Sequence, residues 1–147
     1  MIRKAEMNDV EAIYRIVCEL EDTELDHENF VRIYSNQLNS PAFFLYVYEL
    51  DGNVIGMMNM RMEEQLHHAG AVMEIIELCV TDGWRSMGIG AKFMEFAKQV
   101  CREHRVQRLE LSSSTWRTDA HRFYESQGMD MSHVNMTYDF TYEDGEY

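Results

Sequence analysis

Long apolar runs are missing from this sequence. None approaches the roughly 18 residues that a membrane span requires, so no membrane partner is expected. The first residues, Met1-Ile-Arg-Lys-Ala-Glu6, carry no apolar signal segment, which makes cytoplasmic residence the expectation. Cysteine is scarce and odd in number: Cys18, Cys79 and Cys101 are scattered without C-x-x-C spacing, and read as reduced, buried thiols. Positive charge is short as well, with 13 Lys and Arg against 26 Asp and Glu and a net charge of −13. That excess argues against a nucleic-acid partner, and any anionic cofactor has to be held by local positive features against the field of the whole molecule. No repeat or linker marks a boundary, and 147 residues suffice to bury one core without metal or disulfide staples. Residues 1–140 therefore read as a single domain, followed by an acidic tail over 141–147.

Apolar periodicity supplies the elements. Residues 2–5 are a short strand candidate. Asn8, with Glu11 three residues on, forms a capping pair before a helical stripe of Val10, Ile13, Tyr14, Val17 and Leu20. Glu19 to Glu24 is an acidic break, read as a solvated turn or, alternatively, as a rim that attracts a cationic amine. Asp26 is placed to cap a second helix with Phe30, Ile33, Tyr34 and Leu38 on one face, stopped at Asn39-Ser-Pro41. Phe43 to Leu50 is a strand, Asp51-Gly52 a hairpin turn, and Val54 onward its partner, with Val54, Met58, Met60 and Met62 on one face and Asn59, Arg61 and Glu63 on the other. After a polar connection, Glu64 to Gly70, a strand runs from Ala71 to Val80. Arg108 to Ser112 is a further strand, Thr118 to Gln127 a helix closed by Gly128, and Met129 to Phe140 alternates like a half-buried strand. The fold class expected is α/β: a mixed sheet flanked by helices on both faces.

One stretch organises the rest. The strand ending Glu74-Ile-Ile-Glu-Leu-Cys-Val80 leads through Thr81-Asp-Gly-Trp84 to Arg85-Ser-Met-Gly-Ile-Gly90, and a helical pattern follows to His104. Gly88 and Gly90 lack side chains, so successive backbone N–H groups can face a close anion, and the helix adds the positive end of its dipole. A nucleotide P-loop is excluded, because Ala91-Lys92-Phe93 lacks the Lys-Ser/Thr pair. A dinucleotide fingerprint needs a third glycine at position 93, which is Phe93.

What remains, Arg-x-x-Gly-x-Gly after an apolar strand and then Asp119-Ala-His-Arg-Phe-Tyr-Glu-Ser-Gln-Gly128, resembles the GNAT superfamily of acetyl-CoA-dependent N-acetyltransferases. Gln65-Leu-His-His68 and Glu74-Ile-Ile-Glu-Leu78 make it most similar to the aminoalkylphosphonate N-acetyltransferases within that superfamily. The resemblance implies a sheet that splays beside the strand before the glycine loop, acetyl-CoA as cosubstrate, and a small-molecule amine as partner. Arg85, Ser86, Met87, Gly88, Ile89, Gly90 and Ala91 would meet the diphosphate of the cosubstrate. Backbone at Leu78, Cys79 and Val80 would meet its pantetheine arm and the oxyanion, with Ser114, His121 and Tyr124 on the cofactor side. The subfamily also implies a divalent metal ion, with His67 or His68 as a candidate ligand. Dimers are frequent in the family, so a homodimer is an open alternative.

The implied reaction sets chemical demands. An alkylamine with a pKa of ~10.4 is mostly protonated at neutral pH, so the site has to accept a proton before or during attack on the thioester. Glu77 and Glu74 are the candidate acceptors; strict alternation puts them on opposite faces, since they stand three residues apart. The structural alternative for either is an ion pair with Arg61, Arg85 or Arg108. Tyr124 matches the tyrosine of the family's Phe-Tyr motif and is the candidate donor to the departing sulfur; the plainer reading is that it packs beside Phe123. Arg61, His67, His68, Glu74 and Arg117 are the candidate substrate-binding residues, with the cations and His121 available to meet a phosphonate. A polyamine substrate, favoured by the negative charge, and a non-catalytic acyl-CoA sensor are the competing readings.

Overall fold

Asp51 and Gly52 both take left-handed backbone (φ 50° and 81°), the conformation a two-residue hairpin turn demands, and the pairing of Phe43–Leu50 with the strand that follows grows from that turn. The computed structural model describes residues 1–143, so 144–147 of the predicted acidic tail lie outside the described residues. Chain contacts divide the described residues into two units, Met1–Leu111 and a second that begins at Ser112.

The first unit is a five-stranded sheet with helices on both faces. Its elements are β1 (Ile2–Lys4), α1 (Val10–Glu21), α2 (His27–Leu38), β2 (Phe43–Leu50), β3 (Asn53–Gln65), β4 (Gly70–Val80), α3 (Ile89–His104) and β5 (Leu109–Leu111). The strands lie in the order β1-β2-β3-β4-β5, antiparallel except for the β4–β5 pair, which α3 connects in parallel.

Alternation along β2 distributes the two cores. Leu45 and Val47 pack with Met57 and Cys79 against Ile13, Ile16 and Val17 of α1 and Tyr34 of α2. Tyr46 and Tyr48 point the other way and meet Phe96 and Phe93 of α3, ring centroids 4.7 and 6.2 Å apart. Phe93 is fully buried, a removal from water worth about 1.5–3 kcal/mol. Gly56 suits that packing: a Cβ there would sit tightly, 3.1 Å from the Phe93 ring and 3.2 Å from the Cys79 carbonyl.

Several sequence expectations change in three dimensions. The start of α1 is organised by Asp9 rather than by Asn8 and Glu11. The Asp9 carboxylate accepts from the Glu6 N–H at 2.7 Å and from both terminal nitrogens of Arg3 at 2.9 Å. Asp26 does cap α2, accepting from the Asn29 N–H at 2.8 Å, but Ile33 of its predicted buried stripe is exposed. The polar connection shortens to 66–69 because β3 continues to Gln65, and β5 covers only three residues.

Two β-bulges matter more. One lets Tyr48 pair Gly56 while Glu49 pairs Val54, so Val54 joins the α1 side with Met57 instead of facing with Met58. The other lies on β4, where Asn59 pairs Glu77 but Met60 pairs Ile75, leaving Ile76 as the extra residue. Glu74 and Glu77 therefore lie on the same face of the sheet, not on opposite faces: the bulge adds one residue and restores an even step.

The second unit contains α4 (Thr118–Ser126), closed by Gly128 at φ 89°. The strand predicted over Met129 to Phe140 does not form. Residues 129–141 have no regular secondary structure, and Val134, Met136, Tyr138 and Phe140 are 64–90% exposed. A period-2 pattern offers an apolar face but not the neighbouring strand whose hydrogen bonds would make it a strand.

Candidate active site

The end of β4 is where the sheet opens. β5 pairs only with Met73, Glu74 and Ile75, so residues 76–80 run on past their parallel neighbour while remaining paired to β3. Leu78, Cys79 and Val80 thus present a backbone edge on the β5 side, the splay that the resemblance implied.

The chain leaves that edge through a clamp that sequence reading did not identify. Glu19, in the last turns of α1, accepts from the Asp82 N–H at 2.7 Å, from Arg85 Nη2 at 3.0 Å and from Thr81 Oγ1 at 3.3 Å. Arg85 also donates from Nε to the Val80 carbonyl at 3.0 Å. The guanidinium thus ties the strand end to α1, rather than reaching forward from the loop. Glu19 belongs to a helix, not to a solvated acidic break, and fixes the approach to the glycine loop.

The loop itself turns on two left-handed residues, Ser86 at φ 65° and Gly88 at φ 81°. Gly88 is the N-cap residue of α3, and a Cβ built on it would meet nothing within 4 Å. Its surroundings are therefore open, and glycine is needed for the backbone angle alone. Met87 is exposed, Ile89 is buried as an anchor, and Gly90 and Ala91 occupy the first turn. The first helical hydrogen bond outside the turn is Lys92 N–H to the Gly88 carbonyl at 3.1 Å. The N–H groups of 89–91 have no carbonyl one turn earlier, so they and the dipole of a 16-residue helix face outward together. That cradle fits a diphosphate.

The polar row on the α1/α2 face of β3 and β4 is the second feature. Asn59 Nδ2 donates to Glu77 Oε1 at 2.9 Å and to Gln37 Oε1 of α2 at 2.9 Å. One rung along, Arg61 Nη2 stands 3.7 Å from Glu74 Oε2. Among the described residues Glu77 forms no ion pair. Loss of solvation, with a smaller push from Glu21 of α1, raises its carboxyl above the usual range, and the Asn59 hydrogen bond partly offsets this. A carboxyl raised in this way, on the strand that runs on past its parallel neighbour, holds a proton more readily than a solvated one. Asn59 and Gln37 were not singled out from the sequence, although a polar residue inside the run Met57-Met-Asn-Met60 was the available signal.

His67 and His68 sit in a tight turn between β3 and β4, within the predicted polar connection. Their rings are 4.1 Å apart, and His68 Nδ1 is 2.6 Å from Gln65 Oε1. Among the described residues no group of three or more His, Cys, Asp or Glu side chains could hold a metal ion, so the metal expectation finds no ligand set here.

In the second unit, the Ser114 carbonyl meets two other predicted residues, Arg117 and His121. It accepts from the Arg117 N–H at 3.0 Å, and His121 Nε2 lies 2.9 Å from it. The Arg117 side chain is exposed at the start of α4. Tyr124 is half-buried, with its ring centroid 5.2 Å from that of Phe123.

Comparison with known proteins agrees with this geometry. The family model of the acetyltransferase (GNAT) family matches residues 10–129. The aminoalkylphosphonate N-acetyltransferase of Salmonella typhimurium is 34% identical over 136 residues, covering 92% of this chain and 88% of that protein. A transcriptional regulator from Bacillus halodurans superposes with a TM-score of 0.88 at 21% identity, covering 95% of this chain and 99% of the other. Glucosamine-6-phosphate N-acetyltransferase from Arabidopsis thaliana gives a TM-score of 0.82 at 22% identity, covering 96% and 98%. No helix among the described residues is long and apolar enough to cross a membrane. A splayed edge at the end of β4, a glycine-capped helix after it and a family match running through both units lead to one assignment: the chain belongs to the GNAT family and is an acetyl-CoA-dependent N-acetyltransferase.

Proposed function

We propose that residues 1–140 act as one acetyltransferase domain that moves the acetyl group of acetyl-CoA to the primary amine of a small molecule, by preference an aminoalkylphosphonate. The observation that carries this reading is the bulge at Ile76, which sets a proton-accepting carboxyl, Glu77, one rung from a cation, Arg61, on a single face of β3 and β4. An acceptor with an amine at one end and an acid at the other matches that order of charges. Arg61 keeps binding capacity for it: its Nε is buried without a partner, and its contact with Glu74 is long. The name of the Salmonella relative supports the same class.

In this reading the N–H groups of 88–91 hold the diphosphate, and backbone at 78–80 receives the pantetheine arm and steadies the oxyanion. Glu77 takes the amine proton, directly or through water, as nitrogen attacks the acetyl carbon in a ternary complex. Tyr124 hydrogen-bonds to the departing sulfur; full proton transfer from a phenol of pKa ~10 to a thiolate of ~8.5 is uphill, so the hydrogen bond is the role assigned. Arg117, His67 and His68 remain candidate contacts for the acid end of the substrate.

A cationic acceptor such as a polyamine is the second reading, favoured by Glu21, Glu74 and Glu110 around the row and by the net charge of −13. Thiol release from acetyl-CoA, measured over aminoethylphosphonate and spermidine with and without chelator, tests both. Turnover is expected with aminoethylphosphonate and not with spermidine, and Tyr124→Phe should lower it at least about tenfold. The reverse substrate preference would replace the first reading by the second.

A further inference from the structure

We propose that Asn59 is a positioning residue that holds Glu77 in place as an ionised proton acceptor, with Gln37 of α2 as its brace. The inference rests on the assignment of Glu77 as the proton acceptor. Asn59 is 2% exposed, in the middle of the sheet, and both hydrogens of its amide are used: one on Glu77 Oε1 and one on Gln37 Oε1, each at 2.9 Å. Its own Oδ1 is buried and has no partner.

That imbalance has a chemical reason. A carboxylate oxygen only accepts, so it fixes which end of the amide faces it. Turned over, the amide would place Oδ1 against two acceptor oxygens. The orientation seen satisfies Glu77 and leaves Oδ1 buried and unpartnered, which costs stability. A core chosen for stability alone would fill this position with an apolar residue like the methionines on either side.

The other groups around Glu77 do not do this work. α1 contributes Glu21, a like charge that disfavours ionisation. α2 contributes Gln37, which is neutral and bonds to Asn59 rather than to the carboxyl. Arg61, one rung along the same face, stands 3.7 Å from Glu74 and makes no ion pair with Glu77. A donor that bonds to the charged form stabilises that form, so Asn59 keeps Glu77 available as a base at lower pH than burial alone would allow.

The test is the pH profile of kcat/KM for the full chain with acetyl-CoA and whichever of aminoethylphosphonate and spermidine it turns over, alongside a carbon-13 titration of the Glu77 carboxyl without substrate. Asn59→Ala should move the acid limb and the carboxyl titration upward by about one pH unit, a tenfold loss on the acid side that is recovered at higher pH. Asn59→Asp keeps the shape of the side chain but sets a second carboxylate against the first, and should move both further. Gln37→Leu should move both in the same direction by less. An even loss across all pH values, with the acid limb and the carboxyl titration unmoved in Asn59→Asp, would overturn the inference. The underlying assignment fails separately: Glu77→Gln retaining wild-type turnover and its acid limb would remove Glu77 as the base, whatever Asn59 does.

Discussion

Two carboxylates withdrawn from solvent, Asp9 and Glu77, have opposite surroundings. Asp9 lies between β1 and α1 and is 7% exposed; it receives the two-pronged Arg3 guanidinium and a backbone N–H. Those partners hold its carboxyl below the ordinary value of 3.8, with the Arg3 hydrogen bonds the largest cause. Glu77, on the opened strand, receives one neutral amide and faces a like charge, and its carboxyl is raised above 4.5. A paired carboxylate supports the fold, whereas one denied a cation is left able to exchange a proton.

Substitution should separate the two, most strongly at Glu77. Glu77→Gln is expected to lower kcat/KM by about a hundred- to ten-thousandfold in the thiol-release assay. It should not weaken the fold. A carboxyl whose folded pKa is raised costs stability once the pH is above that value, and costs nothing below the unfolded value near 4.5. The variant should therefore match or exceed the wild type in thermal melts at neutral pH, and the difference should vanish as the pH falls below about 4.5. A variant that melts earlier at neutral pH would place Glu77 among the structural carboxylates.

Asp9→Ala should do the reverse. It leaves Arg3 with Glu49, at 3.2 Å, as its one carboxylate among the described residues, and should lower unfolding free energy in urea by about 2–3 kcal/mol while leaving the kinetics of the folded enzyme unchanged. The sign with pH also inverts. The Asp9 contribution is present above its ordinary value of 3.8 and is lost as the pH falls through the lower folded value, so wild type and variant should converge in acid.

The smallest effect is expected at Glu74→Gln. The Arg61–Glu74 contact is 3.7 Å long with both side chains 33–40% exposed, so stability should change by less than about 0.5 kcal/mol. Any consequence should appear as a change in KM for an acidic acceptor, since Arg61 is then freed; a large stability loss would contradict the weak pairing.

The contrast also shows how far residue pattern reaches. The turn at Asp51-Gly52, the Asp26 cap, the helical pattern running to His104 and the glycine loop were legible because each depends on local backbone preference or on period. The face of Glu74 relative to Glu77 was not. A bulge is one extra residue in one strand of a pair, and only the register with β3 displays it. The Glu19 clamp was hidden for a similar reason, since its partners at 81, 82 and 85 are more than 60 positions away in the chain. Met129 to Phe140 shows the converse, an alternating pattern with no strand to pair it.

Taken alone, the order of residues settled the kind of protein: an α/β chain with a glycine-capped helix after an apolar strand, because those signals rest on φ preferences, side-chain absence and helical spacing. Tertiary structure decided which groups act together. It put Glu77 beside Asn59, left it without an ion pair among the described residues, and tied Arg85 to Glu19, because charge, solvation and hydrogen-bond geometry are fixed only when distant segments meet.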